Sequence, residues 1–377
     1  MNNRVTNCLL SIVQGINFLI PKSKRRLVFY SYPDYSDNCR AMYEYMTKVG
    51  IDKSYNITWV VRDVVRNKKA HPQIRFVRHR SLKSLWAMCR SRYIIRTHSF
   101  WGNRYIPKRQ VMCIAWHGMP LKRIGIDITD ENRASCDFIL STAKAFDKEL
   151  MIAMGGGVAK CIHTGLPRND RLFAVSSLKE DLQWDNYDKI ILWMPTFRVR
   201  KGTKISDGTD TRLGIPLVDR DMLQDLNKIL NDKNYLLILK LHPWASDKWT
   251  DLGLSNIINF GDKDLPKEYT LYDLIGQADA LITDYSSVYI DYLLLDRPIG
   301  FVIDDVDEYR EKRGFVFEPV EEYMPGEKIY TYGQLVNWLE SLDIDDYADK
   351  RKHIRDIFHE NTDDNSSYRV LKALKIL

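Results

Sequence analysis

The stretch ADALITDYSSVYIDYLLLDRPIGFVI, residues 278–303, contains one complete unit of an α/β fold. An apolar run over 280–285 ends in a polar turn, a helical pattern follows over 286–295, and a second apolar run starts at Pro298. Two apolar runs joined by a helix are typical of a βαβ unit, whose two strands are parallel. The stretch therefore predicts a parallel sheet with helices packed against it.

The same alternation of apolar runs and helical patterns extends over most of the chain. A first series of predicted strands lies at 25–31, 57–61, 73–77, 93–98, 111–117, 138–142 and 160–165. A second series lies at 189–196, 235–242, 256–260, 280–285 and 298–303. Predicted helices include 38–49, 81–91, 220–231, 271–278, 286–295, 332–342 and 365–376. Two successive series predict an α/β protein with two Rossmann-like domains.

The pattern also predicts how the chain is divided. The predicted segments are an N-terminal helix with a basic cluster at 1–25, a first Rossmann-like domain at 26–170, a linker at 171–188, a second Rossmann-like domain at 189–350 and a C-terminal helical segment at 351–377. In doubly wound sheets, ligands bind beyond the carboxyl ends of the strands. We therefore expect functional side chains where the apolar runs stop.

The charge of the chain is unevenly distributed. The net charge is only +6 over 377 residues, but residues 1–125 carry 24 Lys and Arg against 5 Asp and Glu. A basic region of this kind indicates an anionic partner, which can be a nucleic acid, a membrane surface or a phosphorylated substrate. A composition of 45% hydrophobic and 28% charged residues excludes a disordered tail, a collagen-like chain and a small disulfide scaffold.

Several familiar motifs are absent from the sequence. The six cysteines are widely spaced with no CxxC pair, which favours buried free thiols over a zinc or redox site. There is no Walker motif, no HExxH, no GxSxG and no GxGxxG after the first strand. The sequence predicts neither a metal nor a cofactor, and the absence of nucleic-acid-binding motifs argues against a nucleic acid partner.

The N-terminal segment has an apolar stripe followed by a basic cluster. On a helix, one face would carry Val5, Leu9, Ile12, Val13, Ile16 and Ile20. The run is too short to span a bilayer, and Lys and Arg residues follow it at 22–26. Two interpretations are open: contact with an anionic membrane surface, or packing on the domain behind it.

His117 follows the apolar run of AWHGMPLKRIG, residues 115–125. Gly118 permits a sharp turn there, so the imidazole is a candidate general base for a hydroxyl nucleophile. Lys122 and Arg123 are candidate anion ligands. The alternative is a structural histidine that forms ordinary hydrogen bonds.

Two further strand ends carry arginine. Arg168 in HTGLPRND is a candidate anion ligand, with a salt bridge to Asp170 as the alternative. MPTFR, residues 194–198, ends a strand with Thr196 and places Arg198 just beyond it. A guanidinium suits phosphate oxygens, and the alternative is an ordinary surface arginine.

The second series of strands ends in two polar clusters. In LKLHP, alternation directs Lys240 and His242 to the same side, away from the leucines. In DYSS, Ser286 and Ser287 start a helix, whose free amides and hydroxyls favour an anion. Asp284 can cap that helix or hold a ligand hydroxyl, and Asp291 lies one turn further on. The alternative is an ordinary helix N-cap.

These blocks together closely resemble the signature blocks of the CDP-glycerol glycerophosphotransferase family. WHGMPLK, TGLPRND, MPTFR, LKLHP and the block 278–315 occur in the family's order, over about residues 26 to 340. The resemblance implies a GT-B architecture, with an acceptor domain and a CDP-polyol donor domain facing a cleft. It also implies a peripheral enzyme at the cytoplasmic face of the bacterial membrane, which acts on a polyprenyl-diphosphate-linked acceptor.

The resemblance implies a role for each matching residue. His117 matches a catalytic base, and His242 matches a second essential histidine near the donor diphosphate. The implied donor diphosphate ligands are Arg198, Lys240, Ser286 and Ser287, the donor polyol or nucleotide ligands are Thr196, Asp284 and Asp291, and the acceptor or anion ligands are Lys122, Arg123 and Arg168. Two departures, Met119 where Thr is commoner and Phe197 where Trp is frequent, leave the acceptor and the polyol open.

The expected reaction is attack of an acceptor hydroxyl on the β-phosphorus of CDP-glycerol, with release of CMP, in the synthesis of teichoic acid or a capsule-type polymer. The chain length is that of the primases or short capsule transferases of the family. CDP-ribitol is the alternative donor, and a sugar-nucleotide glycosyltransferase of the same architecture is the alternative enzyme. A non-catalytic protein that binds membrane or nucleic acid is the alternative from another class.

Overall fold

Each series of predicted strands forms its own parallel sheet. The computed structural model describes residues 12–13, 15–99, 109–124, 135–196, 215–241 and 253–377. Its contacts group the chain into two units. Unit 1 comprises Met1–Met119, Ile124–Asp170 and His359–Leu377, and unit 2 comprises Pro120–Arg123 and Arg171–Phe358.

The sheet of unit 1 has seven strands in the order β3-β2-β1-β4-β5-β6-β7. The strands are β1 Ser23–Tyr30, β2 Asn56–Val61, β3 Phe76–Arg78, β4 Ser91–Arg96, β5 Val111–Ile114, β6 Cys136–Ser141 and β7 Val158–His163. All neighbouring strands pair in parallel. Because the chain builds outward from β1 to β3 and then returns to β4, the strand order reverses between β1 and β4. Such a reversal opens the crevice in which ligands of doubly wound sheets bind.

The sheet of unit 2 has six strands in the order β10-β9-β8-β11-β12-β13. The strands are β8 Lys189–Met194, β9 Tyr235–Leu239, β10 Ile257–Asn259, β11 Ala280–Thr283, β12 Ile299–Val302 and β13 Glu327–Ile329. Here too the pairing is parallel, and the order reverses between β8 and β11. The three-residue strand β13 is the member that the sequence pattern does not predict.

Helices connect and cover both sheets. They are α1 Asp37–Lys48, α2 Val64–Ala70, α3 Leu82–Arg90, α4 Asp147–Ala153, α5 Leu178–Asp181, α6 Arg220–Asp232, α7 Leu271–Gln277, α8 Val288–Tyr292, α9 Val306–Lys312, α10 Tyr332–Glu340, α11 Ala348–Phe358 and α12 Ser366–Ala373. In α6, Asp219 caps the first turn through Met222 N–H at 2.9 Å, and the buried side is formed by Leu223, Leu226 and Leu230. This spacing places one apolar stripe on the sheet.

The units differ from the predicted segments at three places. The predicted linker 171–188 contains α5 and belongs to unit 2, while the predicted C-terminal segment is divided after Phe358. The part after Phe358 belongs to unit 1 because the Asp170 carboxylate accepts the amides of Ser366 and Ser367 at 2.8 and 2.9 Å. The third place is the segment 120–123, which packs with unit 2.

The cysteines behave as the sequence predicts within the described part of the chain. Cys39, Cys89, Cys113, Cys136 and Cys161 are free and buried. Burial raises the pKa of the Cys136 and Cys161 thiols to about 12. These thiols are therefore protonated core side chains and not nucleophiles.

Candidate active site

His117 lies at the carboxyl edge of the unit 1 sheet, three residues after β5 ends at Ile114. Gly118 has φ +143, a conformation that glycine tolerates best, and it turns the chain there. The His117 ring contacts the Trp116 ring at 4.2 Å and stacks on the His98 ring at 5.2 Å between centroids, with 13° between the planes. The imidazole thus sits in an aromatic setting at the strand end.

The surroundings of His117 favour its neutral form. The side chain is exposed, yet the protein groups around the ring remove part of its hydration, and this desolvation is the main reason why its pKa falls to about 4. The positive charge of Arg168, and the charge that His98 would carry if protonated, lower the pKa further, while Asp37 acts in the opposite direction. At neutral pH the ring therefore has a lone pair that can accept a proton.

His98 is a site residue that the sequence reasoning missed. It follows β4, which is the strand next to β5, and its Nδ1 lies 2.9 Å from Thr97 Oγ1. The signal was available, because His98 ends the predicted strand 93–98 just as His117 ends the next one. Applied to every strand, the same rule predicts the pair.

Arg168 has a different partner from the one considered in the sequence. The alternative salt bridge to Asp170 is wrong: Arg168 Nη1 lies 3.0 Å from Asp37 Oδ1 at the start of α1. The Arg168 amide donates to Asn38 Oδ1 at 3.1 Å, and Asn38 Nδ2 donates to the Trp116 carbonyl at 2.7 Å. Arg168 is therefore tied to the backbone beside His117.

Lys122 and Arg123 lie in unit 2, whereas His117 lies in unit 1. Lys122 forms an isolated antiparallel bridge with Phe315, and the Arg123 amide donates to the Gly314 carbonyl at 3.2 Å. A Cβ at Gly314 would meet Arg123 Cδ at 3.2 Å. Within unit 2, the segment 120–123 is thus joined to Gly314 and Phe315, which are distant from it in sequence.

Asp284 organises the strand ends of unit 2. It follows β11, and its fully buried carboxylate accepts from the Thr196 amide at 2.9 Å, the Thr196 hydroxyl at 2.6 Å and the Ser286 amide at 3.2 Å. Thr196 follows the neighbouring strand β8. Asp284 therefore fixes the two strand ends to each other, and Ser286 and Ser287 remain half-buried at the start of α8.

Asp291 and Lys240 occupy different surroundings. Asp291 is fully buried and accepts from the Tyr272 hydroxyl at 2.6 Å, a contact that holds α8 against α7. Lys240 directly follows β9, and its Nζ lies 2.6 Å from Oδ1 of the exposed Asp262. The Lys240 side chain is only 11% exposed, so it is held close to the protein at the strand end.

Among the predicted site residues, His242 and Arg198 lie outside the described residues, as do Val5 and Leu9 of the predicted N-terminal stripe. Within the described part of the chain, no group of three or more His, Cys, Asp or Glu side chains is placed to hold a metal ion.

Comparison with known proteins identifies the family. The sequence model of the family described as CDP-Glycerol:Poly(glycerophosphate) glycerophosphotransferase matches residues 12–375. The teichoic acid poly(glycerol phosphate) polymerase of Bacillus spizizenii is 27% identical over 357 residues, which are 87% of this chain and 86% of that protein. The teichoic acid ribitol-phosphate primase of the same species is 28% identical over 370 residues, 88% of each chain.

A solved structure shows the same fold. The wall teichoic acid polymerase TagF superimposes with a TM-score of 0.76 at 23% identity, covering 99% of this chain and 94% of that chain. This likeness confirms the predicted α/β class with two Rossmann-like domains of the GT-B type. Because the family match spans nearly the whole sequence, the chain belongs to the CDP-glycerol glycerophosphotransferase family, as its five sequence blocks predict.

Proposed function

We propose that the chain transfers glycerol phosphate from CDP-glycerol to an acceptor hydroxyl and releases CMP, in the synthesis of teichoic acid or a capsule-type surface polymer. The family match over residues 12–375 carries the proposal. The acceptor in this proposal is a saccharide or polymer linked to a polyprenyl diphosphate, at the cytoplasmic face of the membrane.

In the proposed reaction, the acceptor oxygen forms a bond to the β-phosphorus of CDP-glycerol. The bond from that phosphorus to the bridging oxygen breaks, and CMP leaves with the electron pair. The hydroxyl proton passes to a ring nitrogen of His117, whose lowered pKa keeps the ring neutral and able to accept it. The product is a phosphodiester, so atoms and charge balance without a further reactant.

The proposed donor site lies at the strand ends of unit 2. Phosphoryl transfer depends mainly on positioning and on compensation of negative charge. Lys240 offers a cation beside β9, and Ser286 and Ser287 offer hydroxyls near the start of α8. In this proposal the buried Asp284 and Asp291 position their neighbours, while contact with the donor falls to Thr196 and the serines. Arg198 and His242 remain predicted diphosphate ligands.

CDP-ribitol is the second candidate donor. One observation favours it: the ribitol-phosphate primase relative matches this chain as closely as the glycerol-phosphate polymerase does. Both donors present the same CDP group to unit 2, so the difference is confined to the polyol.

The N-terminal helical residues support association with an anionic membrane. The Asn17 side chain points inward and donates to Gln110 Oε1 at 2.8 Å, and Lys22 Nζ donates to the Cys89 carbonyl at 2.6 Å. Polar groups thus anchor the segment on unit 1, while Phe18 is 62% and Leu19 is 79% exposed. Exposed apolar side chains beside basic residues favour an anionic bilayer surface.

Helix α3 adds to the same kind of surface. Leu82 and Trp86 are one helical turn apart and both are exposed, and the Arg90 guanidinium lies 5.8 Å from the Trp86 ring. Tryptophan with a nearby cation suits the interface of a bilayer. None of the helices in the described ranges has the length and hydropathy needed to cross a membrane.

The function is tested with purified protein, a lipid-linked acceptor analogue and a set of nucleotide donors. We expect CMP release with CDP-glycerol and a product whose mass increases by glycerol phosphate units. CDP-ribitol in a parallel reaction separates the two polyols. Release of UDP or GDP from sugar nucleotides, with none of CMP, would overturn the proposal.

Membrane association is tested separately by sedimentation with vesicles of phosphatidylglycerol or phosphatidylcholine. We expect binding to the anionic vesicles, and its loss when Phe18→Ser and Leu19→Ser are combined. Val175→Ser is the matched control, because Val175 is a fully exposed apolar residue in unit 2. Equal binding by all three proteins would contradict a role of the N-terminal residues.

A further inference from the structure

The rings of His98 and His117 form a stacked pair, and the proposed reaction gives a role to His117 alone. The two rings are nearly parallel, with 13° between their planes and 5.2 Å between their centroids. They come from neighbouring strands, because His98 follows β4 and His117 follows β5. The pair therefore stands at the carboxyl edge of the sheet, beside the reversal of strand order.

His98 is fixed by the groups around it. Its Nδ1 lies 2.9 Å from Thr97 Oγ1, and that oxygen also accepts the Tyr32 amide at 3.2 Å. Its carbonyl accepts from Nη1 of the buried Arg96 at 3.0 Å. The Tyr32 ring meets the His98 ring at 5.5 Å in an edge arrangement. Both the backbone and the ring of His98 are thus held in place.

The charged groups that face the pair come from several elements. They are Asp37 on α1, Arg62 after β2, Arg96 on β4 and Arg168 after β7. Burial is the largest cause that lowers the pKa of each histidine, the arginines lower it further, and Asp37 raises it. With three cations against one carboxylate, the pair is held neutral at neutral pH.

We propose that His98 is a positioning residue for the reaction. It holds the His117 ring against Trp116 and stabilises that ring once His117 has accepted a proton. The inference rests on the proposed role of His117 as the base.

The physical reason is the contact between one charged and one neutral ring. Once His117 has taken the hydroxyl proton, its imidazolium lies against the faces of His98 and Trp116, where cation–π attraction stabilises it. A second proton on His98 would place two like charges about 5 Å apart and is disfavoured. The pair therefore takes up one proton, and its titration belongs to the pair as a whole.

The test compares His98→Ala and His98→Phe with wild type in CMP release over a range of pH. His98→Ala removes the stacked ring and opens the site, so we expect kcat to fall about tenfold while KM for CDP-glycerol stays within about twofold. We also expect the acid limb of the pH profile to move upward, because His117 becomes better hydrated and no longer shares the one proton of the pair with His98, and these two effects outweigh the loss of the cation–π contact. His98→Phe keeps an aromatic face against His117 but cannot compete for the proton, so kcat should fall less and the acid limb should still move upward.

His79→Ala is the matched control. His79 also stacks on an aromatic ring of unit 1, that of Tyr30, at 4.9 Å and 14°, but it follows β3. Its loss should leave the acid limb at its wild-type position. A His98 variant that loses kcat with an unshifted limb, or that behaves like His79→Ala in both respects, would overturn the inference.

A second measurement is independent of turnover. The titration of the His117 ring, followed by NMR of histidine-labelled protein, should shift upward in His98→Phe and not in His79→Ala. If the protein released no CMP from CDP-glycerol, the proposed function would fail, while this titration would still decide whether the two histidines are coupled. An identical His117 titration in wild type and His98→Phe would refute the coupling.

Discussion

The two units carry different groups at the same position of the same kind of sheet. In unit 1, the strand ends around His117 carry aromatic and titratable rings that lie against one another. In unit 2, the strand ends around Asp284 carry hydroxyls and amides that a buried carboxylate holds in place. In the proposed reaction, the first arrangement handles a proton, and the second fixes the backbone that presents the Ser286 and Ser287 hydroxyls to the donor diphosphate.

This difference shows that the strand order determines where a site can lie, while the side chains just beyond each strand determine its chemistry. Both sheets reverse strand order, between β1 and β4 and between β8 and β11. A neutral imidazole is useful where a hydroxyl must lose a proton. Oriented donors are useful where a diphosphate must be held still. If this division is right, substitutions in the two units should affect different kinetic constants.

The largest effect is expected for His117→Ala. Removal of the base should lower kcat for CMP release by about a thousandfold, because general-base catalysis contributes on that order. KM for CDP-glycerol should change little, since His117 lies in unit 1. His79→Ala serves as the control, and near wild-type turnover by His117→Ala would contradict the assignment of the base.

Asp284→Ala should have the next largest effect, on donor affinity. The Thr196 and Ser286 amides would lose their buried acceptor, which costs about 1–3 kcal/mol per unsatisfied group. We expect the affinity for CDP-glycerol to fall at least about tenfold, with a lower melting temperature. Calorimetry and thermal unfolding measure the two effects, and unchanged donor affinity in a folded variant would refute the organising role of Asp284.

Lys240→Gln tests the proposed cation beside β9. We expect KM for CDP-glycerol to rise about tenfold, because a charge-assisted contact to phosphate would be lost, while kcat changes less. Lys228→Gln is the control, since Lys228 is an exposed lysine of α6 that pairs with Asp225 within the same unit. Equal KM values for the two variants would remove Lys240 from the donor site.

The smallest effect is expected when the pH is varied near neutrality and kcat/KM of the wild-type protein is measured. Because the pKa of His117 is lowered to about 4, kcat/KM should stay nearly constant from pH 7 to about 5 and fall below that as the ring is protonated. In the unfolded chain this histidine titrates near its ordinary pKa of about 6.5, so between about pH 6.5 and pH 4 the unfolded chain binds more protons than the folded one. His117 therefore makes folding less favourable as the pH falls from about 6.5 to about 4. An acid limb near pH 6.5 would contradict the crowded setting of the ring.

Much of the fold could be predicted from the sequence, because buried parallel strands are continuous apolar runs. The functional side chains lie just past those runs: β5 ends three residues before His117, and β9 ends one residue before Lys240. The predicted strands 111–117 and 235–242 are therefore too long at their carboxyl ends. The periodicity of a strand does not show where the chain leaves the sheet.

Partners that are distant in sequence could not be predicted. Arg168 pairs with Asp37, which is 131 positions earlier, and the two residues meet because Asp37 follows β1 and Arg168 follows β7 at the carboxyl edge of the same parallel sheet. Lys122 forms an isolated bridge with Phe315, which is also distant in sequence. The full burial of Asp291 was also hidden, because α8 is only five residues long and both its neighbours and its contacts come from tertiary packing.

The most direct test of the division between the units is the dissociation constant of CDP-glycerol, measured by calorimetry for His117→Ala and Asp284→Ala and set beside single-turnover CMP release. We expect His117→Ala to bind CDP-glycerol within about twofold of wild type while its chemical step slows by about a thousandfold. Asp284→Ala should instead lose its main share of activity through weaker binding. Loss of donor affinity in His117→Ala as large as its loss of rate would contradict this division of roles.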